Sequence, residues 1–303
     1  MKLAHGRVYA MLVIVMLLWA GNSIVARAVH ADVPPFTLAF CRWTGALLLL
    51  LPFAGPQIVA QRAALLRHWR SILLLGAVGV ASFNAFLYSG LRYTTATNGL
   101  LIQAVIPALV LLFDLLLFRT RPRPLQVAGV VIAAAGVLVI VFRGDLMAFA
   151  TLRFGRGDAL VLCGVVAWSL YTALLRKRPP VHPLAFLALT FLVGVVGMLP
   201  FALVEWQTAT VVLNARSLGG IAYVAVLPSV VAYFLYNKAV GEIGAGAAGQ
   251  MISLQPLFGA LLSAPILSEP LHGYHLAGML LILLGIVVPL ARSLAGHPKM
   301  GQP

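Results

Sequence analysis

The chain has 303 residues, of which 62% are apolar and 9% charged, with a mean hydropathy of +1.02. Soluble domains carry about 25% charged residues, so this chain cannot cover its surface in water. The net charge of +14 would suggest a nucleic-acid partner in a soluble protein. Here the basic residues lie in short loops between apolar runs and read as membrane topology signals, not as a nucleic-acid surface.

Runs of about 20 apolar residues recur from end to end, as a bilayer core of about 30 Å requires. The alternating segments of a β-barrel are missing. The runs predict ten helices, near 8–29, 35–53, 71–91, 95–118, 124–142, 157–176, 183–204, 217–238, 246–267 and 273–291. The expected fold is an all-α polytopic membrane protein. With the N-terminus inside, 14 Lys and Arg fall on the inner side and 6 on the outer, which places both termini in the cytoplasm.

Helix 1 holds LLWAGNSIVARAV (17–29). With Lys2 and Arg7 before it and ARA at 26–28, it could pass for a signal peptide. Trp19, Asn22 and Ser23 share one helical face. In helix 2, Arg42 lies about 12 Å along the axis, too deep to reach water easily. A cation there needs a carboxylate, carbonyls or water. It either faces a wet path or an anionic substrate group, or it caps carbonyls opened by a neighbouring proline.

Helix 3 offers Asn84 and Tyr88. Helix 4 carries Gln103 and Pro107, with Asp114 near its inner end. Helix 6 presents Trp168, Tyr171 and Thr172 at the spacing of the helix 1 face. Helix 8 carries Ser229, Tyr233, Tyr236 and Asn237, of which Tyr236 and Asn237 fall near its inner end and read as an interfacial belt. Helix 9 begins in GAGAAGQ (244–250), whose small residues permit close packing, and continues through Gln250 to Pro256. Each of Pro107 and Pro256 removes a backbone hydrogen bond near mid-membrane, as a hinge or as a packing kink. Cys41 and Cys163 lie in apolar runs and read as buried, inert thiols.

One offset organises these features. Trp19 meets Trp168, Arg27 meets Arg176, Pro34 meets Pro183, Pro107 meets Pro256, Gly129 meets Gly278 and Gly136 meets Gly285, each 149 residues apart. Two five-helix copies are expected, 1–145 and 150–295, followed by a short cytoplasmic tail, 296–303. Five is odd, so the second copy enters the membrane inverted, an arrangement found in secondary transporters. The recurrence of Trp19 and Arg27 deep in the chain argues that the first segment is retained.

With LLWAGNSIVARAV, PPFTLAFCRW (34–43) and ISLQPLFGALLSAPILSEPLHGYHLAGMLLILLGIV (252–287), the chain resembles the drug/metabolite transporter superfamily, specifically its ten-helix EamA-like members. The resemblance implies a proton-linked or facilitative carrier of small metabolites, commonly an amino-acid exporter of the bacterial inner membrane. The second copy has LSEP (267–270) where the first has FRTRP (118–122), so the family's acidic residue maps only to Glu269.

The expected substrate-binding set is Trp19, Asn22, Ser23, Arg42, Asn84, Tyr88, Gln103, Trp168, Tyr171, Tyr233 and Gln250, with Pro107 and Pro256 as hinges. His272 and His275 form an HxxH beside Glu269 but lack a firm third ligand for zinc, so no metal is expected. No P-loop occurs, which leaves ATP without a site, and no other cofactor is expected. The chain reads as a monomeric carrier exporting amino acids by alternating access, and not as an enzyme. A sugar-phosphate or nucleotide-sugar carrier would need several central cations. A lipid-modifying membrane enzyme would need a clustered catalytic constellation.

Overall fold

The computed structural model describes residues 2–94, 99, 102–145, 155–267 and 271–295. Its membrane helices are α1 (Lys2–Val29), α2 (Pro35–Ala60), α3 (Trp69–Leu91), α4 (Ile106–Phe118), α5 (Pro124–Val141), α6 (Arg156–Leu174), α7 (Pro183–Glu205) and α8 (Ala215–Ile243). They are followed by a broken α9 (Ala245–Gln250 and Leu254–Leu267, joined by a 3-10 turn) and by α10 (Gly273–Ala295). Among the described residues, seven helices are long and apolar enough to cross a membrane, and Ile106–Phe118 (α4) and the Gly273–Pro289 part of α10 are shorter apolar stretches.

Local chemistry sets the ends. Pro35, Pro124 and Pro183 open α2, α5 and α7, where the missing N–H costs nothing. Asn214 and Ser217 cap α8 reciprocally. Gly244, at φ +86°, turns the chain from α8 into α9. The α2 helix runs to Ala60, beyond the expected end near 53, because Pro52 and Pro56 are tolerated on its exposed side. The helix expected over 95–118 is described as Ile106–Phe118. Pro107 stands in its first turn, and the preceding residues 104–105 form a turn.

The duplication is visible in backbone irregularities as well as in residue identities. A π-helical segment, Ala77–Ser82, interrupts α3, and another, Val226–Val231, interrupts α8 at the offset of 149. The breaks before Pro107 and Pro256 recur at the same offset. The packing is paired in the same way. α2 lies on α7 and α5 on α10, while α1 packs against α8 and α9 as α6 packs against α3 and α4.

The α5–α10 contact shows the two-fold relation most directly. A Cβ on Gly129 would stand 2.3 Å from the carbonyl oxygen of Gly285, and one on Gly136 would stand 2.5 Å from that of Gly278. In reciprocal fashion, a Cβ on Gly285 would stand 2.5 Å from the Gly129 carbonyl oxygen and one on Gly278 2.6 Å from that of Gly136. Since Gly129 is equivalent to Gly278 and Gly136 to Gly285, the two contacts exchange under the repeat, as an antiparallel pseudo-two-fold demands. Small residues of this kind let backbones touch where no water drives association. Gly285→Val is therefore expected to destabilise the chain by about 1–3 kcal/mol, read as a lower melting midpoint in detergent. Gly219, with open space around it, is the neutral control as Gly219→Ala.

Candidate functional site

The centre of the bundle is a cluster of rings drawn from six helices. Trp19 of α1 meets Trp168 of α6 edge-on at 5.2 Å, and Tyr236 and Tyr233 of α8 at 5.0 and 5.8 Å. Trp43 of α2 and Phe191 of α7 lie 5.0 Å apart, both against Tyr233. Phe83 of α3 closes on Trp168 at 5.1 Å. Edge-on and tilted pairs at such separations suit the ring quadrupoles. Trp19, Trp43, Trp168, Tyr171, Phe191, Tyr233 and Tyr236 are all buried, so in this state the rings fill the centre.

The two π segments supply the polar anchors of this cluster. In α8, the carbonyl of Pro228 accepts from Trp19 Nε1 at 2.9 Å and from an Arg42 Nη2 at 3.4 Å. Ser229 Oγ accepts from Arg42 Nε at 2.6 Å and donates to the Val224 carbonyl at 2.7 Å. In α3, the Gly79 carbonyl accepts from the Tyr233 hydroxyl at 3.3 Å. Gly79 is also sterically required, because a Cβ there would lie 2.2 Å from the Tyr171 ring. Each half thus offers a π-segment carbonyl to side chains of the other.

Of the expected site residues, Trp19, Arg42, Trp168, Tyr171 and Tyr233 come together here. Asn22 is half-buried and Ser23 exposed, so only Trp19 of that face enters the cluster. Asn84 is buried but donates to the Val80 carbonyl of its own helix at 2.7 Å. Tyr88 packs edge-on against Phe36 at 6.2 Å. Gln103, Pro107, Ser253, Gln255 and Pro256 line a cavity of about 20 Å³, room for one water, so the two proline breaks face each other.

Two expectations are corrected. Tyr236 and Asn237 do not form an interfacial belt; both are buried. Tyr236 shares a 3.1 Å hydrogen bond with Thr172, and Tyr171 donates to Asn237 Oδ1 at 2.8 Å. The reason is that α8 runs on to Ile243 and α6 supplies polar partners at that depth. Cys163, expected inside, is exposed on α6, because it lies on the side of the helix that carries the exposed Ala159 and Val166, while Val161, Gly164 and Val165 face the core.

Toward the end of the bundle that carries Arg121, Arg123 and Arg176, a vestibule of about 400 Å³ opens between α1, α4, α5, α8, α9 and α10. Asp114, Gln126, Gln250 and Glu242 line it together with those arginines. Gln250 Nε2 donates to the Gly285 carbonyl at 2.7 Å.

The opposite end is tied together by a buried carboxylate. Glu205, at the end of α7, accepts from Thr37 N at 2.7 Å, Thr37 Oγ1 at 2.9 Å and Arg92 at 2.8 Å. Trp206 Nε1 donates to the same threonine hydroxyl at 3.0 Å, and Val212 N donates to the Asp32 carbonyl at 2.8 Å. Arg92 also covers the Phe36 ring at 4.7 Å. Sequence reasoning missed this cluster. The lone acid at the end of helix 7, opposite an arginine at the end of helix 3, was the available signal. Trp43, Phe191 and Pro228 were missed as well, although Pro228 stands at the offset of 149 from Gly79.

A scan against family models matches this chain twice to the EamA-like transporter family, at residues 6–142 and 155–290. The chain belongs to the EamA-like transporter family. It is 28% identical over 291 residues to an uncharacterized transporter of Archaeoglobus fulgidus, covering 95% of this chain and 99% of that one. It is 28% identical over 229 residues to the uncharacterized transporter YyaM of Bacillus subtilis, covering 75% of each. A solved crystal structure matches with a TM-score of 0.77 at 20% identity, over 95% of this chain and 99% of that one, a likeness of fold. The EamA-like chain is thus a multi-pass membrane transporter whose family model fits each half separately.

Among the described residues, no group of three His, Cys, Asp or Glu could hold a metal ion. His272 N donates to His275 Nδ1 at 2.9 Å. Glu269 lies outside the described residues.

Proposed function

We propose that this transporter exports amino acids, or similar small zwitterions, across a bacterial inner membrane by alternating access between its two halves, 1–145 and 150–295. Both termini are cytoplasmic in this reading, the arginine-rich vestibule opens to the cytoplasm, and the chain works as a monomer. The observation that carries it is the asymmetry of closure in an otherwise two-fold bundle. One end is open over about 400 Å³, the other is held by Glu205 on Thr37 and Arg92, and a ring plug lies between. An inverted repeat converts such a state into its mirror by exchanging the conformations of its halves.

The plug is the substrate site in the exchanging state. Trp19, Trp168, Tyr171 and Tyr233 would part around an apolar or aromatic side chain, and Arg42 would take the carboxylate. Gln103, Gln250, Asn22, Ser23, Asn84 and Tyr88 flank the route, and the paired breaks at Pro107 and Pro256 are its hinges. No cofactor is required. Counterflow in proteoliposomes loaded with single amino acids tests this: exchange is expected with aromatic and branched-chain amino acids, and no exchange with any of them overturns it.

Arg121, Arg123 and Arg176 at the vestibule favour a second reading, a sugar-phosphate or nucleotide-sugar carrier. Its dianion would leave the arginine-rich mouth for a centre where, among the described residues, Arg42 is the buried cation. Exchange with sugar phosphates but not amino acids would select it.

A further inference from the structure

Within the vestibule, one polar atom lacks an account. Asp114, on the last turns of α4, is 5% exposed. Its Oδ1 is buried and accepts no hydrogen bond among the described residues. Its Oδ2 lies 3.8 Å from an Arg176 nitrogen, beyond hydrogen-bonding reach. That guanidinium pairs with the carboxylate at this distance, donates to Thr120 Oγ1 at 2.8 Å and sits 5.2 Å over the Phe118 ring. The Gly246 backbone N–H is a donor to this carboxylate. A carboxylate oxygen is acceptor-only, and a buried one without a donor costs free energy.

The chain folds a cationic rim around the same cavity. Arg119 adopts φ +54° at the end of α4, and Thr120 N turns back to donate to the Asp114 carbonyl at 3.2 Å. This doubling back brings Arg121 and Arg123, both exposed, onto the lining that Asp114 shares. Glu242, the other carboxylate of the lining, is paired with Lys238 at 4.0 Å on the surface of α8.

We infer that the vestibule is a docking site for a zwitterion, with its ammonium group on Asp114 Oδ1 and its carboxylate on Arg121 and Arg123. An ammonium supplies the N–H donor that Oδ1 lacks. The C-terminal end of α4, with its carbonyl dipoles, favours a cation there. A divalent metal would need several oxygen ligands, and the described residues offer no such group. The volume is that of a small-ligand pocket. This inference deepens the export reading and rests on it for the direction of travel, but the binding itself does not.

The test is therefore a binding measurement on the purified full chain, beside counterflow in the same preparation. The probes are leucine, isopentylamine (its amino group without the carboxylate) and 4-methylpentanoate (the reverse). Leucine and isopentylamine are expected to bind the parent chain and to weaken about tenfold or more in Asp114→Asn, while 4-methylpentanoate is unaffected by that change. The acid and leucine are expected to weaken in the double variant Arg121→Gln, Arg123→Gln. Absence of isopentylamine binding, or equal binding by Asp114→Asn, overturns the inference. If Asp114→Asn loses every probe, Asp114→Glu decides: recovered amine binding supports the assignment, and no recovery overturns it. Binding of leucine without counterflow would count against the export reading alone.

Discussion

Arg42→Met is expected to lower counterflow by about 100-fold, the worth of a charged hydrogen-bonded contact, while leaving the chain as stable as the parent or slightly more so. Arg42 is buried with neutral partners: Ser229 Oγ, the Pro228 carbonyl and the face of Trp43 at 4.4 Å. A buried cation without a carboxylate carries a desolvation cost that such contacts offset only in part. Methionine fills a similar volume and carries no charge. Its neighbours are not orphaned by the change, because Pro228 keeps the Trp19 Nε1 donor and Ser229 keeps the Val224 carbonyl. A residue that only capped carbonyls would behave the other way, with stability falling and transport per folded molecule persisting. Melting midpoints in detergent and counterflow rates, measured on the same preparation, separate the two. Full transport by Arg42→Met would remove Arg42 from the proposed site.

The second large effect is expected at the closed end. Glu205→Ala removes one acceptor that serves three donors, two of them on buried Thr37. The Arg92 bridge is half-exposed on the arginine side and contributes little. The stranded Thr37 N–H and hydroxyl are what count, at about 1–3 kcal/mol for a buried donor left unmade. That is enough to move the open population at this end by about tenfold or more. Spin labels at Tyr93 and Thr208, in a background with Cys41→Ser and Cys163→Ser, should then report a longer-distance population that the parent lacks. Glu205→Gln, which keeps an acceptor for Thr37, should fall between. Identical distance distributions in all three chains would show that this carboxylate does not hold the end closed.

Much of the architecture is legible in the sequence. Ten apolar runs, the proline punctuation and the offset of 149 are local or periodic properties, and helices in a bilayer must satisfy their own backbone. The breaks at Pro107 and Pro256 were readable for the same reason, since a proline removes its N–H wherever it stands. The π segments were not. They carry no composition signal, yet each adds a residue to a turn and so rotates the side chains beyond it by about 100° relative to an unbroken α-helix. This is why helical spacing identified Trp19 and Tyr233 as inward but could not say which carbonyl either would meet.

The sequence by itself determined the helical membrane class, the duplicated halves and the family likeness, because hydropathy and repeat offset need no knowledge of neighbours. Only the tertiary structure decided that Glu205 would find Thr37, that Arg42 would find Pro228 and Ser229, and that the rings would close into one plug. Those partners are separated by 168, 186 and 187 residues for the polar pairs. Their meeting depends on the rotation and depth of whole helices, which packing sets and a single strand of sequence does not record.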